Sequence, residues 1–282
     1  MFVPFAPFHE SELAMERHRL DPTVPGVHIK TRETPFPLTE LLINSEEGAR
    51  GMGRPCGRYI TVTYPPLFSL SRKEEATGIS LLSRILHRLL PREGAILVVG
   101  LGNRNLTADA VGPQVVERLC PLEAERPLYI LTPQVEAQSG MESARVVGGV
   151  VDAVKPSAVL AIDALVARGM ERLCRTIQIT DTGIVPGSGI CRQKAGLTRE
   201  SLGIPVIAVG IPTMMHIGGA MLELLGTDEN SIPTPLRERL TESREYVLPE
   251  GIDLALENAA FLLSRAIQGL PSCSNPETAC IE

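Results

Sequence analysis

The sequence predicts an α/β protein: a mostly parallel, twisted sheet with helices on both faces. Three observations predict it. Apolar runs of strand length recur at residues 96–101, 128–132, 158–162, 176–180 and 205–210. The best of them are continuous rather than alternating, which suits strands buried on both faces. Stretches with helical apolar spacing lie between most of these runs, and strands alternating with helices imply parallel pairing.

The elements follow in chain order. Residues 1–50 are rich in Pro and charge with weak periodicity, and read as a propiece and arm, partly disordered or draped over the body. The run from Arg58 to Tyr64 alternates and is β-branched, which predicts a strand. Ile79, Leu82, Ile85, Leu86 and Leu89 repeat at helical spacing, and Pro91 ends that helix. The strand at 96–101 leads to a helix at 109–119, and the strand at 128–132 to a helix at 140–154. The stripe of that second helix is Met141, Ala144, Val147, Val151 and Val154. The strand at 158–162 precedes a short helical turn from Arg168 to Leu173. The strand at 176–180 runs into Asp181-Thr182-Gly183 and Pro186-Gly187-Ser188-Gly189, a loop by composition. The strand at 205–210 leads through Pro212 and Thr213 to a helix ending near Leu225. A polar, Pro-rich stretch covers 227–249, and a last helix spans 252–268. One α/β domain over 51–270 with a loose tail at 271–282 accounts for the chain.

Composition excludes several classes. Of 282 residues, 44% are apolar but only 4% aromatic, with no Trp, so the core must be aliphatic. A formal charge of −6 leaves no basic footprint for nucleic acid. No apolar run reaches the ~18 residues of a membrane span. The start, Met1 to Pro7, lacks a basic stretch and an apolar core segment, so it does not read as a secretory signal. Cys56, Cys120, Cys174, Cys191, Cys273 and Cys280 form no C-x-x-C pair and read as reduced, cytosolic thiols.

Two carboxylates stand where such a sheet does chemistry. Asp109 follows the run at 96–101 and opens a helical pattern; Asp163 follows five apolar residues. In a parallel sheet the strands' carboxyl ends line one crevice where ligands bind. Two carboxylates there repel, so one tends to keep a proton while the other stays ionised, which supplies an acid and a base for splitting an amide with water. Asp109 has a competing role as a helix-capping residue. Asp163 is harder to assign to structure, because a poorly solvated carboxyl needs a reason. Asp181, before Thr182-Gly183, reads as an Asx-turn residue. Gly100-Leu101-Gly102 invites a dinucleotide site, but Asn105 breaks G-x-G-x-x-G and Asp109 would oppose a phosphate. His216 joins Asp109 and Asp163 as a conceivable divalent-metal set, against the plainer reading of a helix-surface histidine. No H-E-x-x-H is present, and Ser188 does not fit G-x-S-x-G.

Five ordered blocks together resemble the spore germination protease family. They are 98–113, from Val98 through Asp109 to Pro113; 161–168, around Asp163; 176–189; 203–213; and 249–253, at the start of the last helix. The resemblance runs from about residue 10 to 268. It departs from the family pattern at Ala108, usually Pro, at Ile190-Cys191-Arg192, less glycine-rich than in the family, and at His216, usually acidic. The resemblance implies an atypical aspartic endopeptidase, related in fold to hydrogenase maturation proteases, that degrades small acid-soluble spore proteins when a spore germinates. It implies catalytic roles for Asp109 and Asp163, no cofactor, a homotetramer and a cytoplasmic place in the spore core. It also implies a zymogen that processes itself near its N-terminus. Ser11-Glu12-Leu13-Ala14-Met15-Glu16 has the acidic-then-apolar character of the family's cleavage sites, which points to a cut between Glu12 and Leu13. An ordinary amphipathic turn is the alternative for that stretch. A metal-dependent maturation-type protease and a non-catalytic binding protein on the same scaffold are the alternatives for the whole chain.

Overall fold

The computed structural model describes residues 12–33, 35–185, 195–228 and 231–271. The first eleven residues, the loop read over 186–189 and the tail from 272 onward lie outside them. In chain order the elements are α1 (Ala14–Leu20), β1 (Val27–Arg32), β2 (Leu38–Ile43), α2 (Glu46–Met52), β3 (Gly57–Thr63) and α3 (Arg72–Leu89). Then come β4 (Ile96–Gly100), α4 (Val111–Arg118), β5 (Leu128–Leu131), α5 (Glu136–Ser139), α6 (Ser143–Val154), β6 (Ala158–Ala167) and β7 (Thr176–Thr180). The last are α7 (Arg199–Leu202), β8 (Val206–His216), α8 (Ile217–Leu225), α9 (Thr234–Glu242), β9 (Tyr246–Val247) and α10 (Ile252–Gln268).

The nine strands form one sheet in the order β1-β2-β3-β7-β8-β6-β4-β5, with β9 added antiparallel to β8. The α/β class holds, and the sheet is mixed. Strands β5, β4, β6 and β8 are parallel neighbours, whereas β7, β3, β2 and β1 extend the sheet antiparallel. Residues 27–43 are therefore strands of the body, not a draped arm as the weak periodicity suggested. Strand β1 is an exposed edge with little apolar pattern to read, which is why it escaped notice.

Strand alternation splits the core in two. Ile96, Val98, Leu160 and Ile162 face the layer made by α3, α4 and α10. Leu97, Val99, Val159 and Ala161 face α6 through Val147 and Val151. That double burial explains the unbroken apolar runs. Ser71 caps α3 with Glu74 in a reciprocal box. Met141, assigned to the stripe of α6, is 55% exposed. Gly140, at φ 69°, ends α5 just before it, so Met141 lies between two helices rather than within one.

Two strands run longer than their apolar runs suggested. Strand β6 continues to Ala167 and β8 to His216, and they pair from Val159↔Val206 to Ala167↔Met215. The register shifts between Leu165 and Val166, opposite Pro212 and Thr213. Pro212 has no N–H to give the ladder, and a bulge is how a strand accommodates that.

Candidate active site

The chain steps from β4 to its neighbour β5 and then crosses back to β6 on the other side of β4. That reversal makes the gap between β4 and β6 a switch point, where parallel sheets open a crevice at the strands' carboxyl ends. The crossovers fit: α4 covers one face and α6 the other. Asp109 and Asp163 both belong to this crevice. Strand β4 ends at the pair Gly100↔Ile162, so Asp163 is the first residue of β6 without β4 beside it. The carboxyl thus sits within a long strand, not at its end, and is only 6% exposed.

Close backbone packing sets the positions. Gly112, in the first turn of α4, approaches so closely that a Cβ there would overlap the carbonyl oxygens of Leu101 and Ile162. Leu101 donates its N–H to the carbonyl of Ile162 at 2.8 Å, tying the loop after β4 to the residue before Asp163. The buried Thr213 hydroxyl donates to the carbonyl of Ala108 at 2.6 Å and tethers the single turn Thr107–Asp109 to β8. Gly102 has φ 109°, and a side chain there would run into Asp109.

Asp109 does not cap α4. The N-cap is Ala110, which makes no side-chain cap, and Asp109 Oδ2 accepts instead from the N–H of Asn103 at 2.8 Å. Burial pushes the Asp109 carboxyl above the ordinary 3.8, the charge of Glu12 adds to that, and the Asn103 N–H opposes it. Asp163 is pushed well above the same value, first by burial, then by the charge of Asp109, then by that of Glu12. The N–H of Ala164, at 2.9 Å from Oδ1, offsets part of this. The more buried Asp163 is therefore the member of the pair that holds a proton more tightly.

The end of the expected propiece, from Glu12 onward, is anchored to the strands that line this crevice. Glu12 donates its N–H to the carbonyl of Val166 at 3.2 Å, and its carboxylate accepts from the Val166 N–H at 2.7 Å. It thereby takes the edge of β6 that β4 has left. Leu13 is fully buried and Ala14 nearly so. Ala14 donates its N–H to Gln178 Oε1 at 2.8 Å, while Gln178 Nε2 donates to the carbonyl of Glu12 at 3.2 Å. Glu16 is 5% exposed and accepts from the N–H groups of Arg168 and Gly169 at 3.0 and 2.9 Å. Sequence reasoning named Glu12 and Leu13 but missed Val166 and Gln178. Val166 acts through its backbone, which leaves no trace in residue type. Gln178 had one: Thr176, Gln178 and Thr180 line one face of a strand whose other face, Ile177 and Ile179, is apolar core.

The remaining candidates are structural. His216 caps α8, its Nδ1 accepting from the Gly218 N–H at 3.0 Å. Nε2 faces the carbonyl of Ser243 at 2.9 Å, which fixes the proton there. Both nitrogens are engaged by backbone, and no cluster of three metal-type ligands occurs among the described residues, so the set with Asp109 and Asp163 is not assembled. Asp181 accepts from the Arg58 N–H at 2.7 Å and ties β3 to the loop after β7, rather than closing an Asx-turn of its own. Among the described residues no helix is long and apolar enough to cross a membrane.

Several known proteins are similar to this chain. A family model described as germination protease matches residues 9–221. A germination protease of Caldanaerobacter subterraneus subsp. tengcongensis is 36% identical over 91% of this chain and 92% of its own length. One from Clostridium perfringens is 37% identical over 73% of this chain and 70% of its own. Among solved structures, a [NiFe] hydrogenase maturation protease HycI from Thermococcus kodakarensis aligns with a TM-score of 0.41 and 19% identity, over 66% of this chain and 99% of that one. Given a match over residues 9–221 and a relative alike along nine-tenths of both chains, the protein belongs to the germination protease family and is a hydrolase, an endopeptidase.

Proposed function

We propose that the protein hydrolyses peptide bonds with Asp109 and Asp163 and one shared proton, without a cofactor. The observation that carries this reading is the pair itself: a carboxyl raised first by burial and then by its neighbour's charge, in a switch-point crevice where Glu12 pairs with Val166. Asp109, the less buried member, is the ionised base that takes a proton from water. Asp163 holds the proton, polarises the scissile carbonyl and then protonates the leaving nitrogen. The pair titrates as a unit, so the roles belong to the coupled site.

The natural substrates are small acid-soluble spore proteins, met in the spore core during germination, and the working form is a homotetramer. The peptide in the crevice is the chain's own propiece. Self-cleavage between Glu12 and Leu13 frees the β6 edge for a substrate strand, which adds by backbone pairing. The test is incubation of pure protein with a small acid-soluble spore protein, followed by mass analysis. A discrete fragment set is expected from the wild type and none from Asp109→Asn or Asp163→Asn; full activity in either variant rejects the reading.

A further inference from the structure

Gln178 is a glutamine 6% exposed in a strand whose other face is aliphatic core, and neither aspartate uses it. Its side-chain amide spans the Glu12–Leu13 peptide bond: Oε1 accepts from the Ala14 N–H at 2.8 Å, and Nε2 donates to the Glu12 carbonyl oxygen at 3.2 Å. The first contact settles the second. An atom that accepts from a backbone N–H must be the amide oxygen, so the atom facing the Glu12 carbonyl is the NH₂ donor. Glu12 C=O and Ala14 N–H flank Leu13 on one side of an extended chain, so a primary amide reads them as a neighbouring strand would. The opposite side of Glu12 is held by Val166.

We infer that Gln178 is a catalytic residue that binds the scissile carbonyl oxygen of the peptide in the crevice, its own propiece first and substrate afterwards. The inference rests on the reading that the Glu12–Leu13 bond is the one cut. When water adds to the Glu12 carbonyl carbon, the π electrons of C=O move onto the oxygen, and Nε2 already points at that atom. The charge that develops there shortens and strengthens the contact. The intermediate then collapses, the C–N bond breaks, and the Leu13 nitrogen leaves with a proton. The Ala14 contact keeps the amide from turning its oxygen toward the developing charge. A neutral donor suits a site that must keep one of its two carboxyls protonated.

The test uses the full chain and its self-cleavage at mildly acidic pH, followed by mass spectrometry. Gln178→Ala is expected to slow cleavage by about 10²-fold, the usual effect of deleting an oxyanion donor. Ala14→Pro removes the N–H that orients the amide and puts a ring carbon where the amide oxygen sits, so the amide must turn away. Ala14 is the first residue of α1 and Leu13 is extended (φ −89°, ψ 121°), so the backbone tolerates proline there. This change is expected to slow cleavage by a few-fold in the wild type and by nothing further in Gln178→Ala. A Gln178 that acts elsewhere in the fold, and not through this contact, gives independent, multiplying losses instead. Equal rates for wild type and Gln178→Ala overturn the inference. If the wild type does not cut itself at all, the cleavage reading fails first. Hydrogen exchange at the Ala14 amide in Asp163→Asn then decides the clamp on its own: faster exchange with Gln178→Ala added supports it, and unchanged exchange overturns it.

Discussion

At the scale of single residues, the crevice is governed by one carboxyl that the fold desolvates. Replacing either aspartate by asparagine keeps the shape and removes the charge or the proton, so peptide cleavage is expected to fall by at least about 10³-fold. The stability consequence of Asp163→Asn has a definite sign. The folded-state pKa of Asp163 lies above the ordinary 3.8 of the unfolded chain. The native state therefore binds more protons than the unfolded state between those two values, and stability falls as pH rises through that window. Below pH ~3.8 the carboxyl is protonated in both states and the penalty is absent. Asp163→Asn is therefore expected to melt higher than wild type at neutral pH, with the gap closing as pH falls toward about 4. Thermal melts at pH 4 and 7 check this; a variant less stable than wild type at both contradicts it. On the proposed roles, the pair keeps its proton to a higher pH than an isolated carboxyl, so the cleavage rate is expected to decline on the alkaline side as Asp163 ionises.

At the scale of elements, the placing of Asp109 and Asp163 depends on how closely α4 sits on the ends of β4 and β6. Gly112 permits that approach, and Thr213 ties the Asp109 turn to β8. Thr213→Val keeps the volume but leaves the Ala108 carbonyl without its buried donor, a loss of about 1–3 kcal/mol. Gly112→Ala forces backbone apart and should cost about as much through overpacking, with activity falling further than stability because the turn that holds Asp109 leads directly into α4. Urea denaturation of both variants, set beside their cleavage rates, measures the two effects; wild-type rates in Gly112→Ala would remove the packing argument. The same scale explains where sequence reading stopped short. The apolar runs marked β4, β6 and β7, but β6 and β8 outlast them. Beyond Ile162, β6 loses β4 as a neighbour and continues on its pairing with β8 alone. No local pattern reports a partner strand.

At the scale of the molecule, the N-terminal segment closes the crevice. Leu13 is fully buried and Glu16 nearly so, which shields the Glu12–Leu13 bond from a protease arriving from outside. Self-cleavage at Glu12–Leu13 is therefore expected within a chain: its half-time should not change over a hundredfold range of protein concentration. Wild-type protein should also fail to cut added Asp163→Asn protein at that bond. N-terminal sequencing of the mixture reads both; a Leu13 terminus on the inactive variant would point to cleavage between molecules. The acidic-then-apolar character pointed to this bond, and in the structure it lies in a segment held by Val166 and Gln178.

The sequence by itself determined the α/β class, the aliphatic core and most strands and helices, and it named two aspartates as candidates. Each rests on local signals: apolar runs, helical spacing, a carboxyl that ends a run. Tertiary structure decided the rest. It joined residues 27–43 to the sheet and turned its outer half antiparallel. It gave both nitrogens of His216 to backbone groups, though residue type alone allowed a metal. It brought Glu12 and Gln178 together across 166 positions of chain. Contacts of that separation depend on which strands become neighbours, and that is fixed by packing over the whole chain rather than by any stretch of it.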